Sequence, residues 1–310
     1  MIAPSPDGDH KKSIEQSGVL MHRAAIASVS VSLFLVAIKT FAYFASHSVA
    51  MLASLADSAL DLFASSLNML AIRSALAPAD AEHRFGHGKA EPLAGLAQGA
   101  FISASALFLV LQAVQRIITP EPLDNSIPAL VVMGISIFVT ILLVLYQRRV
   151  VAKTGSLAVE ADTTHYASDL ATNLGVIVAL VLVTWLDWTL ADPLIALAVA
   201  GVMLFTAFGV GRQSFNQLMD RELPDEERAR ILRIARSHPA VRDVHELKTR
   251  AAGLSTFIQL HLALDPAMPL SQAHVISDAV EQALLAAYPG AEVIIHQDPA
   301  GLEPLPGLPE

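Results

Sequence analysis

The stretch LASLADSALDLFA, residues 52–64, places two aspartates, Asp57 and Asp61, four residues apart inside an otherwise apolar segment. A carboxylate in a bilayer costs several kcal/mol unless it is paired, hydrated or bound to a cation. No Lys or Arg lies nearby in the sequence to relieve the pair. Taken singly, either aspartate could serve as a protonated hydrogen-bond donor between helices. The question is what else faces them.

The rest of the chain supports a membrane setting. Of 310 residues, 54% are hydrophobic and only 16% charged, and the mean hydropathy is +0.52, a balance far from that of soluble domains. A net charge of −9 disfavours nucleic acid as a partner. With no cysteine, any metal must be held by His, Asp and Glu. The N-terminal stretch MIAPSPDGDHKKSIEQSG has no apolar core and no small-residue cleavage pattern, so it reads as a polar tail over residues 1–20 and not as a signal peptide.

Apolar runs long enough to span a bilayer fall at 22–44, 50–71, 93–117, 128–147, 156–185 and 193–211. Six spans over residues 21–211 place Lys11, Lys12, Arg23, Arg73, Arg84, Lys89, Arg148, Arg149 and Lys153 on one side, against Arg116 alone on the other. The positive-inside rule then makes both termini cytoplasmic. Asp192 followed by Pro193 predicts an N-cap and first helical turn for the sixth span.

Beyond residue 211 the composition is that of a small soluble domain, 212–299. PDEERARILRIARSHP reads as an amphipathic helix, with His238 at its end carrying no chemistry. STFIQLHLAL alternates, with Ile258, Leu260, Leu262 and Leu264 on one face and Gln259 and His261 on the other. LSQAHVISDAVEQALLAAYPG is a second helix and AEVIIHQD a last strand. The order predicted is helix, strand, strand, helix, strand, an α+β domain with its helices on one face. The tail, 300–310, is expected to be disordered.

The fifth span answers the opening pair with EADTTHYASDLATN, where His165 and Asp169 are again four apart and so share a helix face. At about 1.5 Å per residue from Ala50, Asp57 lies about 10 Å and Asp61 about 16 Å deep; from Ser156, His165 lies about 14 Å and Asp169 about 20 Å deep. In a core about 30 Å thick, antiparallel spans bring Asp61 level with His165 and Asp57 level with Asp169. Three carboxylates and one imidazole suit Zn²⁺ or a related divalent ion. The same quartet would also serve as a proton relay without metal.

LASLADSALD, FGHGKAE, EADTTHYASD and VIIHQDP, in that order, resemble segments of the cation diffusion facilitator family, in particular its bacterial zinc and ferrous-iron efflux branch, and the likeness extends over about residues 20–299. The resemblance implies a homodimer in the bacterial inner membrane, exchanging cytosolic metal for protons, with six membrane helices and a cytoplasmic ferredoxin-like αββαβ domain. It implies a transport site at Asp57, Asp61, His165 and Asp169 and a loop site at Asp80, His83 and His87. A cytoplasmic site would use His245, His261, His274, His296 and Asp298, with Gln297 contributed across the dimer. Lys89 and Asp220 would form a charge interlock near the dimer interface. The short, His-free QRRVVAKTGS between the fourth and fifth spans departs from the vesicular eukaryotic branch. The expected cargo is Zn²⁺, with Fe²⁺, Cd²⁺, Co²⁺ and Mn²⁺ as alternatives. Two rival functions are a nontransporting metal sensor and an intramembrane aspartyl protease. For the protease, neither GxGD nor HExxH is present.

Overall fold

The structure, a computed structural model, describes residues 6–46, 49–119, 127–186 and 190–301. Within them the chain divides into two units, one over 17–215 and the other over 216–301 with 6–16. The tail expected to be disordered lies, from residue 302, outside the described residues.

The first unit is built from long helices: α1 (Pro6–Ser46), α2 (Val49–Ala75), α3 (Ala90–Ile118), α4 (Ile127–Thr154), α5 (Leu157–Leu186) and α6 (Ala191–Leu218). Five of them contain stretches long and apolar enough to cross a membrane, Glu15–Ala45, Ser54–Ala75, Ala90–Ile118, Val131–Thr154 and Ala191–Leu218. The exception is α5, which holds the polar EADTTHYASD motif and still runs unbroken for 30 residues. Helix α1 begins at Pro6, so most of the stretch read as a polar tail is helical.

The polarity of this unit is that of a protein whose solvent is lipid. Large apolar side chains such as Phe41, Phe138, Phe205 and Phe208 point outward, whereas Ser28, Ser32, Ser58, Ser65, Gln98 and Gln147 are buried. Lipid tails are as apolar as leucine, so helices associate through small residues that permit close approach and through interhelical hydrogen bonds. Gly95 shows the first device, since a Cβ there would lie 2.2 Å from the Ser214 hydroxyl of α6. The second is a buried hydroxyl cluster in which Tyr166 of α5 meets Ser32 of α1 at 2.6 Å and Ser65 of α2 at 2.7 Å. At the other end of the bundle α6 starts at Ala191, so Asp192 sits in its first turn instead of capping it, and its carboxylate accepts a 2.5 Å hydrogen bond from Arg116.

Helix α5 is anchored by Glu91. This buried carboxylate, in the first turn of α3, accepts a hydrogen bond from the backbone N–H of Ala158 at 3.3 Å, satisfying an amide that the helix start leaves without an intrahelical partner. Glu91→Ala is expected to lower stability by about 1–2 kcal/mol, the usual loss for a removed cap. Thermal unfolding of the purified protein in detergent checks it, with Glu91→Gln retaining part of the loss as an uncharged acceptor.

The second unit contains α7 (Asp225–Ala235), β1 (Asp243–Ala252), β2 (Ser255–Leu264), α8 (Leu270–Ala287) and β3 (Ala291–Pro299). The sheet order is β1-β2-β3, antiparallel between β1 and β2 and parallel between β2 and β3. Ile258, Leu260, Leu262 and Leu264 form the core with Ile231 and Ala235 of α7 and Ala273, Ile276, Val280 and Leu284 of α8. That apolar face leaves the opposite face of the sheet for polar side chains.

Between His245 and Lys248 the β1 register shifts, so two residues of β1 oppose one of β2. Simple alternation would aim Glu246 into the core and Leu247 out. The bulge, with Glu246 at a left-handed φ of 49°, lets Leu247 pack against the core and keeps Glu246 beside the histidine face.

Candidate metal centres

Among the described residues, three clusters bring His and Asp ligand atoms within 4.8 Å of one another.

The membrane cluster joins α2 and α5. His165 Nε2 lies 3.2 Å from Asp61 Oδ1 and 3.7 Å from Asp169 Oδ2. Asp169 Oδ2 is buried without a hydrogen-bond partner among the described residues. A buried carboxylate oxygen lacking a donor is costly, and a cation between it, Asp61 and His165 would satisfy all three. The structure does not bring Asp57 into this group: its residue is exposed and it falls outside the cluster. What the sequence hid is a cation. Lys39 of α1, buried to 9% exposure, donates from Nζ to Ser58 Oγ at 2.6 Å and to the Ser54 carbonyl at 3.2 Å. Asp57, Asp61 and Asp169 all act electrostatically on it. The aspartates therefore do have a lysine nearby, supplied by a helix packed against theirs and not by their own segment.

The loop cluster is Asp80, His83 and His87, between α2 and α3. Asp80 Oδ1 lies 3.3 Å from His83 Nδ1, and Asp80 Oδ2 lies 3.3 Å from His87 Nε2. Gly86, at φ 76°, supplies the left-handed residue that turns the chain between the two histidines. The backbone N–H of His83, joined by that of Glu82 and the charges of His83 and His87, holds the Asp80 carboxyl below its usual range against the opposing effect of desolvation. The site is thus three donors on an exposed turn, with the Nδ1 of His87 buried and unpartnered.

The third cluster lies on the polar face of the sheet, where register aligns His245 with His261 and His261 with His296. Asp298 is its hub. Its Oδ2 meets His261 Nδ1 at 2.7 Å and His245 Nε2 at 3.2 Å, and its Oδ1 meets His296 Nε2 at 3.2 Å. Glu246 adds a carboxylate 3.7 Å from His261 Nε2; the sequence signal for it was an acid at an alternation position that a plain strand would bury. Two expected members stand apart. His274 pairs with Asp278 at 3.5 Å on the exposed face of α8. Gln297 points from β3 to α8, donating to Ser277 Oγ at 2.9 Å, as alternation with His296 and Asp298 requires. Asp220 pairs with Arg250 at 3.2 Å, and Lys89 belongs to the other unit. His238 stays at a helix end, accepting at Nδ1 from the Ala240 N–H.

Burial raises the Asp298 carboxyl, but the His261 hydrogen bond and the charges of His296, His261 and His245 outweigh it, leaving the folded pKa below the ordinary value. A depressed folded pKa means that the unfolded chain takes up the proton first as pH falls. The stabilisation is complete above the unfolded aspartate pKa of about 3.9 and drains as pH falls through it towards the lowered folded value. Thermal melts of the full chain and of Asp298→Asn should differ above that point and converge in acid.

The family model for the cation efflux transmembrane domain matches residues 25–219, and that for the cytoplasmic domain of cation efflux proteins matches residues 223–300. The chain belongs to the cation efflux family. Over 287 residues it is 49% identical to the cation-efflux pump FieF of Klebsiella pneumoniae (strain 342), which covers 93% of this chain and 95% of that one. It is 48% identical over 290 residues to FieF of Citrobacter koseri, covering 94% of this chain and 96% of that one. Among solved structures, the Zn form of CzrB, 36% identical, matches 28% of this chain and 99% of its own length at a TM-score of 0.26. This cation efflux protein is an integral membrane transporter and not an enzyme.

Proposed function

We propose that this divalent metal efflux transporter exports cytosolic Zn²⁺ in exchange for protons, through the cluster of Asp61, His165 and Asp169 joined by Asp57 when the ion is held. The observation that carries the reading is the buried, donorless Asp169 oxygen facing an imidazole nitrogen and a second carboxylate between two helices. Mixed imidazole and carboxylate donors favour Zn²⁺ and accept Fe²⁺, Cd²⁺ or Co²⁺; they suit Mn²⁺ less. Metal requires ionised carboxylates and neutral imidazole, so each loading displaces protons, and protons entering from the far side displace the ion. In this reading α5 also crosses the membrane, as the fifth of six spans, both termini are cytoplasmic, and the protein works as a homodimer in a bacterial inner membrane. The second unit is its ferredoxin-like cytoplasmic domain, with Lys89 and Asp220 as the dimer's charge interlock. Metal at the loop and cytoplasmic clusters biases the conformational equilibrium, which requires different affinity in the two states.

The test is Zn²⁺ uptake into proteoliposomes with and without an imposed pH gradient. Uptake that rises with the gradient and stops when the gradient is collapsed is expected. Uptake indifferent to the gradient would overturn proton exchange, and no uptake of Zn²⁺, Fe²⁺, Cd²⁺ or Co²⁺ would favour a sensor.

A further inference from the structure

We propose that Lys39 is the resident counter-cation of the membrane site, a fixed positive charge that leaves the ligand set at two net negative charges once metal has displaced its protons and so sets its preference for divalent ions. This deepens the reading of Asp61, His165 and Asp169 as the transport site and rests on it.

The geometry places the ammonium on the ligand helix itself. Its two acceptors, the Ser54 carbonyl and Ser58 Oγ, are one turn apart on α2, and Asp57 and Asp61 each follow one of them by three residues, on an adjoining ridge of the same helix. A long cationic side chain buried within a membrane bundle is stable only beside compensating anions. The carboxylates of Asp57, Asp61 and Asp169 act on Lys39 in that sense, against the cost of its burial. With His165 neutral, as a metal ligand must be, three carboxylates and one ammonium leave the charge that one divalent ion cancels.

A helix tie alone would not need this chemistry, because an uncharged donor can bridge Ser54 and Ser58 equally well. The charge has a further effect on the cycle. A site made more negative holds a cation more strongly in both orientations, so release becomes the slow step. A tethered ammonium weakens the hold by a fixed amount and keeps the loaded site from becoming a trap.

The experiment compares the full-length protein with Lys39→Gln, which keeps a hydrogen-bond donor, Lys39→Met, which keeps only the stem, and Lys39→Arg, which keeps the charge. All carry Asp80→Ala and Asp298→Ala so that the loop and cytoplasmic clusters do not titrate. Zn²⁺ and Tb³⁺ binding in detergent is measured beside the initial Zn²⁺ flux at saturating metal. The expected result is a gain in Zn²⁺ affinity of about tenfold or more in Gln and Met, as loss of one nearby buried charge implies. Flux in both variants should fall, Tb³⁺ binding should appear, and Arg should behave as Lys. Unchanged affinity in Gln and Met would overturn the inference. Weaker binding in both would also overturn it, making Lys39 a tie that positions α2. An Asp169→Asn control that binds Zn²⁺ as tightly as its parent would instead sink the site reading, and the inference with it. Should Met fail to fold, Gln alone decides.

Discussion

Asp169→Asn is expected to cut the initial rate of Zn²⁺ efflux in proteoliposomes by more than about 100-fold, a loss beyond that seen when groups merely supporting a metal's ligands are removed. The amide matches the carboxylate in size, so the helix face is preserved. What disappears is the charge and one oxygen at the position where the buried Oδ2 has no other donor. His165→Ala should fall in the same range, because Nε2 is the atom facing both carboxylates. Asp57→Asn should cost less, since the structure leaves Asp57 outside the close cluster. Equal losses at Asp57 and Asp169 would show that ion binding draws Asp57 fully in; intact flux in Asp169→Asn would remove the cluster as the route.

Asp298→Ala is expected to abolish metal binding at the cytoplasmic cluster, seen as the loss of the bound ions held on the sheet when equilibrium dialysis is compared with the parent protein. Three histidines converge on this one carboxylate, so its removal deletes a ligand and also the acceptor that orients His261, and the affinity loss should exceed about 100-fold. Removing His296, which contacts only the second oxygen and is 63% exposed, should be milder. His274→Ala and Gln297→Ala should leave binding by the single chain unchanged, because neither side chain faces the hub. A large effect at either would place a ligand across a dimer.

Much of this was legible in residue order. Period-2 alternation in STFIQLHLAL and the helix-period pairs at Asp57/Asp61 and His165/Asp169 are local rules of backbone geometry, and the strand core and the shared helix faces follow from them. Depth counting depends only on helix rise and set Asp61 level with His165, which lie 3.2 Å apart; of its other pair, Asp169 is in the close cluster and Asp57 is not. The misses are of another kind. Lys39 lies 18 residues before Asp57 and reaches the site only through the packing of α1 on α2, which no periodicity encodes. Glu246 enters the histidine face through a bulge, an insertion that simple alternation cannot foresee. Asp192 looked like a cap because its type and the following proline fit one; its actual partner, Arg116, is 76 positions away.

The bulge at Glu246 sets protein engineering against chemistry at a single position. A non-glycine residue held at φ 49° costs of order 1 kcal/mol, so a sequence redesigned for backbone comfort would choose glycine there and gain thermal tolerance. It would also erase the carboxylate that faces His261. Resistance to heat and a carboxylate beside the histidine face are thus bargained against each other in one residue, and a thermostable version of this transporter obtained by backbone optimisation should be checked first for weakened metal binding on that face.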